Sequence, residues 1–184
     1  MAPEGPARQQ PGWTSLIRDV PDFPLPGVMF KDISPLLADH EAFVGVVESL
    51  AAAGRDEAGR GVVTKVAGIE SRGFIFGAPV AISLGVGFVP VRKVGKLPGP
   101  IFSQTYALEY GDATLEVGQD AFGPGDRVLV IDDVLATGGT IQATAELVAR
   151  CGAKVEAVAV LIELAFLHGR ERLAGLPLLA LTTV

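Results

Sequence analysis

The chain has one cysteine, two histidines and far fewer basic than acidic residues. Each shortage excludes something. A lone cysteine, Cys151, cannot form a disulfide within the chain, which fits a reducing compartment. Cys151 falls at the predicted end of a helix and reads as a small packing residue. A catalytic thiol needs a partner, and neither His40 nor His168 stands in a context that supplies one. No stretch approaches the ~18 apolar residues of a membrane span. Met1 to Gln10 is rich in Pro, Gly and Gln and has no apolar core of a signal peptide. A soluble, cytoplasmic protein that engages no membrane is expected. Fifteen Lys and Arg against 21 Asp and Glu leave a net charge of −6, which argues against nucleic acid as the main partner, since that needs a basic face. A local cluster of Arg and Lys for a phosphate-rich ligand is still compatible with that charge. No internal repeat is visible.

What is present is apolar. Hydrophobic residues make up 49% of 184 residues, enough for one domain with a sizeable core. The most informative stretch is Val128-Leu129-Val130-Ile131-Asp132-Asp133-Val134-Leu135-Ala136-Thr137-Gly138-Gly139-Thr140. Val128 to Ile131 is a continuous apolar run, suited to a strand buried on both faces of a parallel sheet. Asp132 and Asp133 follow at its carboxyl end, where open α/β sheets place ligands. Ala136 to Thr140 offers backbone N–H groups, two hydroxyls and two glycines. Ile141 to Cys151 is a predicted helix whose N-terminus, with its partial positive charge, suits an anion. A tight turn with a solvated acid pair and Thr140 as a plain cap would share part of this pattern.

The same strand, turn and helix order recurs upstream. Val62 to Ile69 is a predicted strand. Gly68-Ile69-Glu70-Ser71-Arg72-Gly73-Phe74 follows, then a helix over Phe74 to Leu84. Arg72 and the exposed amides suit a diphosphate; a bland turn would instead pair Arg72 with Glu70. Gly85 to Val91 is the next strand. It runs into Arg92, Lys93 and Lys96, three cations that suit either a solvated turn or a diphosphate. Thr105 to Tyr110 and Ala113 to Val117 alternate around Gly111-Asp112, a hairpin pattern. Two strands alone lack partners for full stability, so the hairpin is expected to act as a lid. Val155 to Leu164 and Pro177 to Thr182 are predicted strands, with a short helix over His168 to Leu173.

The N-terminal part is different in character. Met1 to Gly12 is expected to be a disordered tail. Trp13, Leu16, Ile17 and Val20 recur with helical spacing. Pro21-Asp22-Phe23-Pro24-Leu25-Pro26-Gly27 then forbids regular structure. Val28, Met29, Phe30 and Lys31 follow, and Phe30 taken alone would fill a core. A second helix opens at Asp39 or His40, presents Phe43, Val46, Val47 and Leu50, and ends at Gly54. Together these alternating elements predict an α/β fold: a doubly wound, mainly parallel sheet flanked by helices, with a small hood at about 21–36 and a lid at about 95–118.

The string from Val128 to Thr140 resembles the phosphoribosyl diphosphate (PRPP) motif of type I phosphoribosyltransferases. Pro21 to Pro35 resembles the hood of the adenine-specific members, and Arg92 to Pro100 with Tyr106-Ala107-Leu108-Glu109-Tyr110-Gly111 resembles their lid. The resemblance covers about 21–172. It implies that Asp132 and Asp133 hold the ribose hydroxyls, that Ala136, Thr137, Gly138, Gly139 and Thr140 wrap the 5′-phosphate, and that Ser71, Arg72, Arg92, Lys93 and Lys96 serve the diphosphate. Val28, Met29, Phe30, Lys31 and Val134 would bind adenine, with Phe30 stacking on the purine, a contact worth ~1–3 kcal/mol. Lys31 stands where many relatives carry Arg. Glu109, which spacing alone would leave as an exposed strand residue, would handle a proton on the purine. The implied reaction joins adenine to PRPP, giving AMP and diphosphate, with Mg²⁺ held mainly through PRPP and a homodimeric assembly. Two rival readings are a relative for xanthine or hypoxanthine, opposed by the hood and lid motifs, and a PRPP-sensing regulator on DNA, opposed by the acidic charge and the short run before Pro21.

Overall fold

The computed structural model describes residues 12–107 and 111–184. The chain divides into two compact units, Met1–Val46 and Val47–Val184. In the first, a 3-10 helix over Gly12–Leu16 precedes strand β1 (Arg18–Val20), which pairs antiparallel with β2 (Phe30–Asp32). The helix predicted from Trp13 to Val20 therefore stops at Leu16. So short a helix is marginal on its own, and the competing strand gains cross-strand partners. Arg18 lies 3.0 Å from Asp32, and the Lys31 ammonium 2.6 Å from the Asp19 carboxylate. Gly12, expected in the tail, is already part of the 3-10 helix, and the expectation for residues 1–11 lies outside the described residues. The proline-rich segment that follows β1 is irregular, as three prolines require. Helix α1 is Ser34–Ala38. Helix α2, His40–Ala51, starts where the Asp39 carboxylate accepts the Ala42 N–H at 2.9 Å and buries Val46, Val47 and Leu50.

The second unit is built on a seven-stranded sheet. Its strands are β3 (Lys65–Ile69), β4 (Gly87–Lys93), β5 (Ile101–Ala107), β6 (Asp112–Gly118), β7 (Arg127–Leu135), β8 (Lys154–Glu163) and β9 (Leu178–Thr183). The spatial order is β5-β6-β4-β3-β7-β8-β9. From β4 to β9 every pairing is parallel, and β6 and β5 add an antiparallel edge. Residues 128–133 of β7 are all buried, which is why their sequence shows no alternation. Helices α3 (Arg72–Leu84), α4 (Gly139–Arg150) and α5 (Gly169–Arg172) complete the unit. Helix α4 buries Ile141, Thr144, Leu147 and Val148, a stripe at helical spacing, into a core that includes Val130, Val158 and Val160.

The hairpin is not a free-standing flap. Strand β5 begins four residues earlier than its sequence pattern predicts, and β6 joins β4 through Arg92↔Glu116 and Lys93↔Leu115. Leu115 and Val117 are fully buried. The Glu116 carboxylate, also buried, accepts the Gly95 N–H at 2.9 Å. The base of the hairpin thus belongs to the main sheet. Among the described residues no helix is long and apolar enough to cross a membrane.

Candidate active site

Strands β3 and β7 are parallel neighbours, with Gly68 opposite Ile131. From β3 the chain turns through α3 to β4 on one side; from β7 it turns through α4 to β8 on the other. The order of strands reverses between them, and such a reversal leaves a crevice beyond the strand ends. Glu70, Ser71 and Arg72 enter it from β3, and Asp132 to Thr140 from β7.

The crevice is a cleft of about 340 Å³ whose walls include Ser71, Arg72, Lys93, Asp132, Asp133 and Thr140. Its floor is acidic. Asp132 and Asp133 are 9% and 6% exposed. The Asp133 N–H donates to Asp132 Oδ1 at 2.9 Å. Arg72 Nη2 approaches Asp133 Oδ2 to 2.9 Å, an ion-pair contact without hydrogen-bond alignment, so that this buried oxygen has no hydrogen-bond partner. Burial drives the Asp132 carboxyl well above the usual carboxylate range, and the charge of Asp133 adds to the rise. Burial also raises Asp133, opposed by Arg72. Two buried carboxylates with acceptor capacity to spare are suited to hydroxyl donors. The close approach that builds this floor needs Gly73. A methyl group there would lie 2.8 Å from the Ile131 carbonyl oxygen and 3.1 Å from Asp132 Oδ1.

The cations sort differently from their order in the sequence. Glu70 Oε2 accepts both Arg92 Nε and the Lys93 N–H, each at 2.9 Å. The Arg92 hydrogen bond, then the Lys93 N–H, hold the Glu70 carboxyl below its usual range. Glu70 therefore pairs with Arg92 and not with Arg72, and it ties the ends of β3 and β4 together. Arg92 also lies 5.7 Å from the centre of the Phe74 ring. Arg72 and Lys93 line the cleft. Lys96 is exposed in the following turn and is not among the cleft residues. The Glu70–Ser71 peptide is cis.

Beyond the acid pair, residues 134–138 with Thr140 and Ile141 surround a hollow of about 120 Å³. Gly138, at φ 81°, precedes the first turn of α4, so the helix opens at Gly139 and Thr140 lies inside it, not at the cap. No acidic residue occupies that first turn, which leaves the positive end of a twelve-residue helix facing the hollow. Thr140 lines both hollow and cleft and links them. Gly139 faces away, toward Tyr106 and Arg172. Tyr106, which the lid motif includes but to which sequence reasoning gives no site role, lines the cleft and places its hydroxyl 3.5 Å from Thr140 Oγ1. Its alternation within β5 was the available signal, but alternation does not say which face meets a ligand.

The residues predicted for the base are divided. Val28, Met29, Phe30 and Lys31 belong to the first unit, where Phe30 packs edge-on against Phe23 at 5.1 Å between ring centres. Val134 lines the hollow. Glu109 lies outside the described residues; Tyr106 and Ala113, on the strands either side of it, both line the cleft. Among the described residues no three His, Cys, Asp or Glu side chains gather as a metal cluster. The Asp133 oxygen that pairs with Arg72 but takes no hydrogen bond, and the neighbouring Asp132 carboxyl, are hard oxygen donors, which fits a hard cation that arrives with a phosphate ligand and keeps much of its water.

A family model described as the phosphoribosyl transferase domain matches residues 36–174. An adenine phosphoribosyltransferase of Nocardioides sp. is 64% identical over 182 residues, covering 97% of this chain and 98% of that protein. The crystal structure of adenine phosphoribosyltransferase from Thermoanaerobacter pseudethanolicus superposes with a TM-score of 0.87 at 48% identity, covering 94% of this chain and 98% of that one. The enzyme from Saccharomyces cerevisiae, solved with adenine and an imino-altritol bisphosphate, gives 0.86 at 36% identity, covering 92% and 96%.

Proposed function

The chain belongs to the adenine phosphoribosyltransferases of the phosphoribosyl transferase family, which join adenine to PRPP to give AMP and diphosphate, and we propose how its own residues carry that reaction. One observation supports the assignment most. A single cleft holds the acid pair, two cations and the first turn of a helix that opens on a second, smaller hollow. PRPP has the same sequence of parts: diphosphate, ribose and 5′-phosphate.

In this reading the 5′-phosphate sits in the hollow formed by Ala136, Thr137, Gly138 and Thr140, with Gly139 starting the helix. Asp132 and Asp133 accept the ribose hydroxyls. Ser71, Arg72 and Lys93 receive the diphosphate. Arg92 acts through Glu70, by fixing the loop that carries Ser71 and Arg72. Lys96 reaches the diphosphate only if its turn moves.

Loss of diphosphate builds positive charge on the ribose carbon and negative charge on the leaving group. Arg72 and Lys93 stabilise the latter. The buried acid pair gives negative potential beside the former. Anchoring the far end of PRPP lets binding energy position the reacting carbon. Mg²⁺, held through the diphosphate and the acid pair, would neutralise further charge on the leaving group. Val28 to Lys31 and Val134 contact the adenine, with Phe30 stacked on it, and Glu109 transfers the proton. A cytoplasmic homodimer is the proposed setting, on the single cysteine and the resemblance. A competition assay tests the base: adenine should outpace hypoxanthine and xanthine for turnover, and faster conversion of either would overturn the substrate assignment.

A further inference from the structure

The loop that holds the 5′-phosphate has a second wall. Strands β7 and β8 run side by side to Leu135 and Glu163, and the Leu164 N–H donates to the Leu135 carbonyl at 2.9 Å. Past that bond the two chains separate, and they meet again at Gly169. A methyl group on Gly169 would sit 2.0 Å from the Ala136 carbonyl oxygen and 3.0 Å from the Gly138 nitrogen. A methyl group on Gly138 would sit 2.7 Å from the Gly169 carbonyl oxygen. Backbone thus rests on backbone, with no side chain between. Gly169 itself is buried.

The segment bearing Gly169 is held by charge. Arg170 Nε and Nη2 donate to the two oxygens of Glu163, at 2.9 and 2.5 Å, a bidentate fork. A third donor, Nη1, reaches the Leu178 carbonyl at 3.3 Å. The Glu163 carboxylate is only 7% exposed, and it stands opposite Leu135, the last residue before the loop. Burying a carboxylate is costly unless it is paired, and apolar packing would fill the space at lower cost. What the ion pair adds is direction: it fixes where Gly169 stands against Ala136.

We infer that Gly169, fixed by the Glu163–Arg170 pair, positions the phosphate loop from behind, so that these three are positioning residues for the 5′-phosphate of PRPP and AMP. This rests on the assignment of Ala136 to Thr140 to that phosphate. A Cβ at Gly169 forces a movement of about 1 Å before contact with Ala136 is tolerable. A displacement of that size can cost up to about 10²-fold when it falls on aligned groups. The effect falls on the phosphorylated ligands and not on adenine.

The test compares Gly169→Ala, Arg170→Ala and Arg170→Lys with the doubly altered loop variant Thr137→Ala, Thr140→Ala. KM for PRPP and for adenine, kcat and AMP affinity by calorimetry are measured in each. Gly169→Ala should raise KM for PRPP and weaken AMP by about tenfold or more, with KM for adenine within about twofold. Arg170→Ala should act in the same direction, and Arg170→Lys should restore part of the loss. If Gly169→Ala does not fold, the two Arg170 variants decide. Equal losses for PRPP and adenine, or wild-type AMP affinity beside a weakened loop variant, would overturn the inference alone. Unchanged AMP affinity in the loop variant as well would overturn the phosphate assignment beneath it.

Discussion

Arg72 and Asp133 meet across the crevice, from the first turn of α3 to the carboxyl end of β7, at 2.9 Å. Arg72 is assigned to the diphosphate and Asp133 to the ribose, so this pair joins the two halves of one substrate. Removing either partner has different consequences. Arg72→Ala leaves a buried carboxylate without its cation. It should destabilise the fold by roughly 1–3 kcal/mol, as for a buried polar group left unmatched, and raise KM for PRPP. Asp133→Asn leaves Arg72 able to turn to solvent, since its side chain is 32% exposed. That variant should hold or gain stability at neutral pH, since burial raises the Asp133 carboxyl, and lose affinity. Urea midpoints of the two variants, measured side by side, check the asymmetry; equal destabilisation would show that the pair is held together for stability.

The acid pair also contributes to the pH dependence of stability in the free protein. Burial raises Asp132 and Asp133 in the folded state. A folded-state carboxyl above its unfolded value of ~3.9 means that the native protein binds protons the unfolded chain has released. Stability from these two groups is therefore full below the unfolded value and is lost as pH rises through the folded one. Glu70 works the other way. Arg92, and then the Lys93 N–H, lower it, so its contribution is present above the unfolded value and lost as pH falls through the folded one. Asp132→Asn should remove Asp132's share of the first effect and leave that of Glu70: a higher melting temperature at neutral pH, no gain in acid, and PRPP affinity weaker by about tenfold or more, the scale of a lost charged hydrogen bond. Melting curves across pH check this. A variant that melts lower at neutral pH would contradict it.

What could be read in the sequence depended on whether a contact was local. Strand β7 is legible because burial on both faces leaves Val128 to Ile131 without polar residues, and the acid pair is legible because it directly follows that run, within the last four residues of the strand. The attachment of β6 to β4 is not. It is an antiparallel edge pairing between residues more than twenty positions apart, and the hairpin's alternation is the same with or without it. Arg92 was grouped with Lys93 by adjacency. The register of β3 against β4 brings Arg92 beside Glu70, and no spacing rule reports that. The N-terminal segment shows a third failure, in which apolar residues at helical spacing yield to pairing with β2. Gly169 carries no side chain, so a contact made by its backbone leaves no pattern to find.

Glu109 poses the sharpest question for the chemistry. It lies outside the described residues; in the sequence it falls between Tyr106 and Ala113, which line the cleft from β5 and β6. The base of that hairpin is fixed: Glu116 accepts the Gly95 N–H, and Arg150 donates to the Ser103 carbonyl at 2.6 Å while lying 4.7 Å from the Phe102 ring. The Tyr106–Thr140 contact joins the described part of the hairpin to α4. A positioned acid or base contributes about 10²–10⁴-fold. Glu109→Ala should lower kcat on that scale and leave the affinity for PRPP within about twofold, because only the transition state uses the proton transfer. Glu109→Gln should be as slow, since an amide keeps the shape but carries no transferable proton. If the glutamine variant turns over at the wild-type rate, shape and not proton transfer is what Glu109 supplies. If both variants do, Glu109 has no part in the reaction.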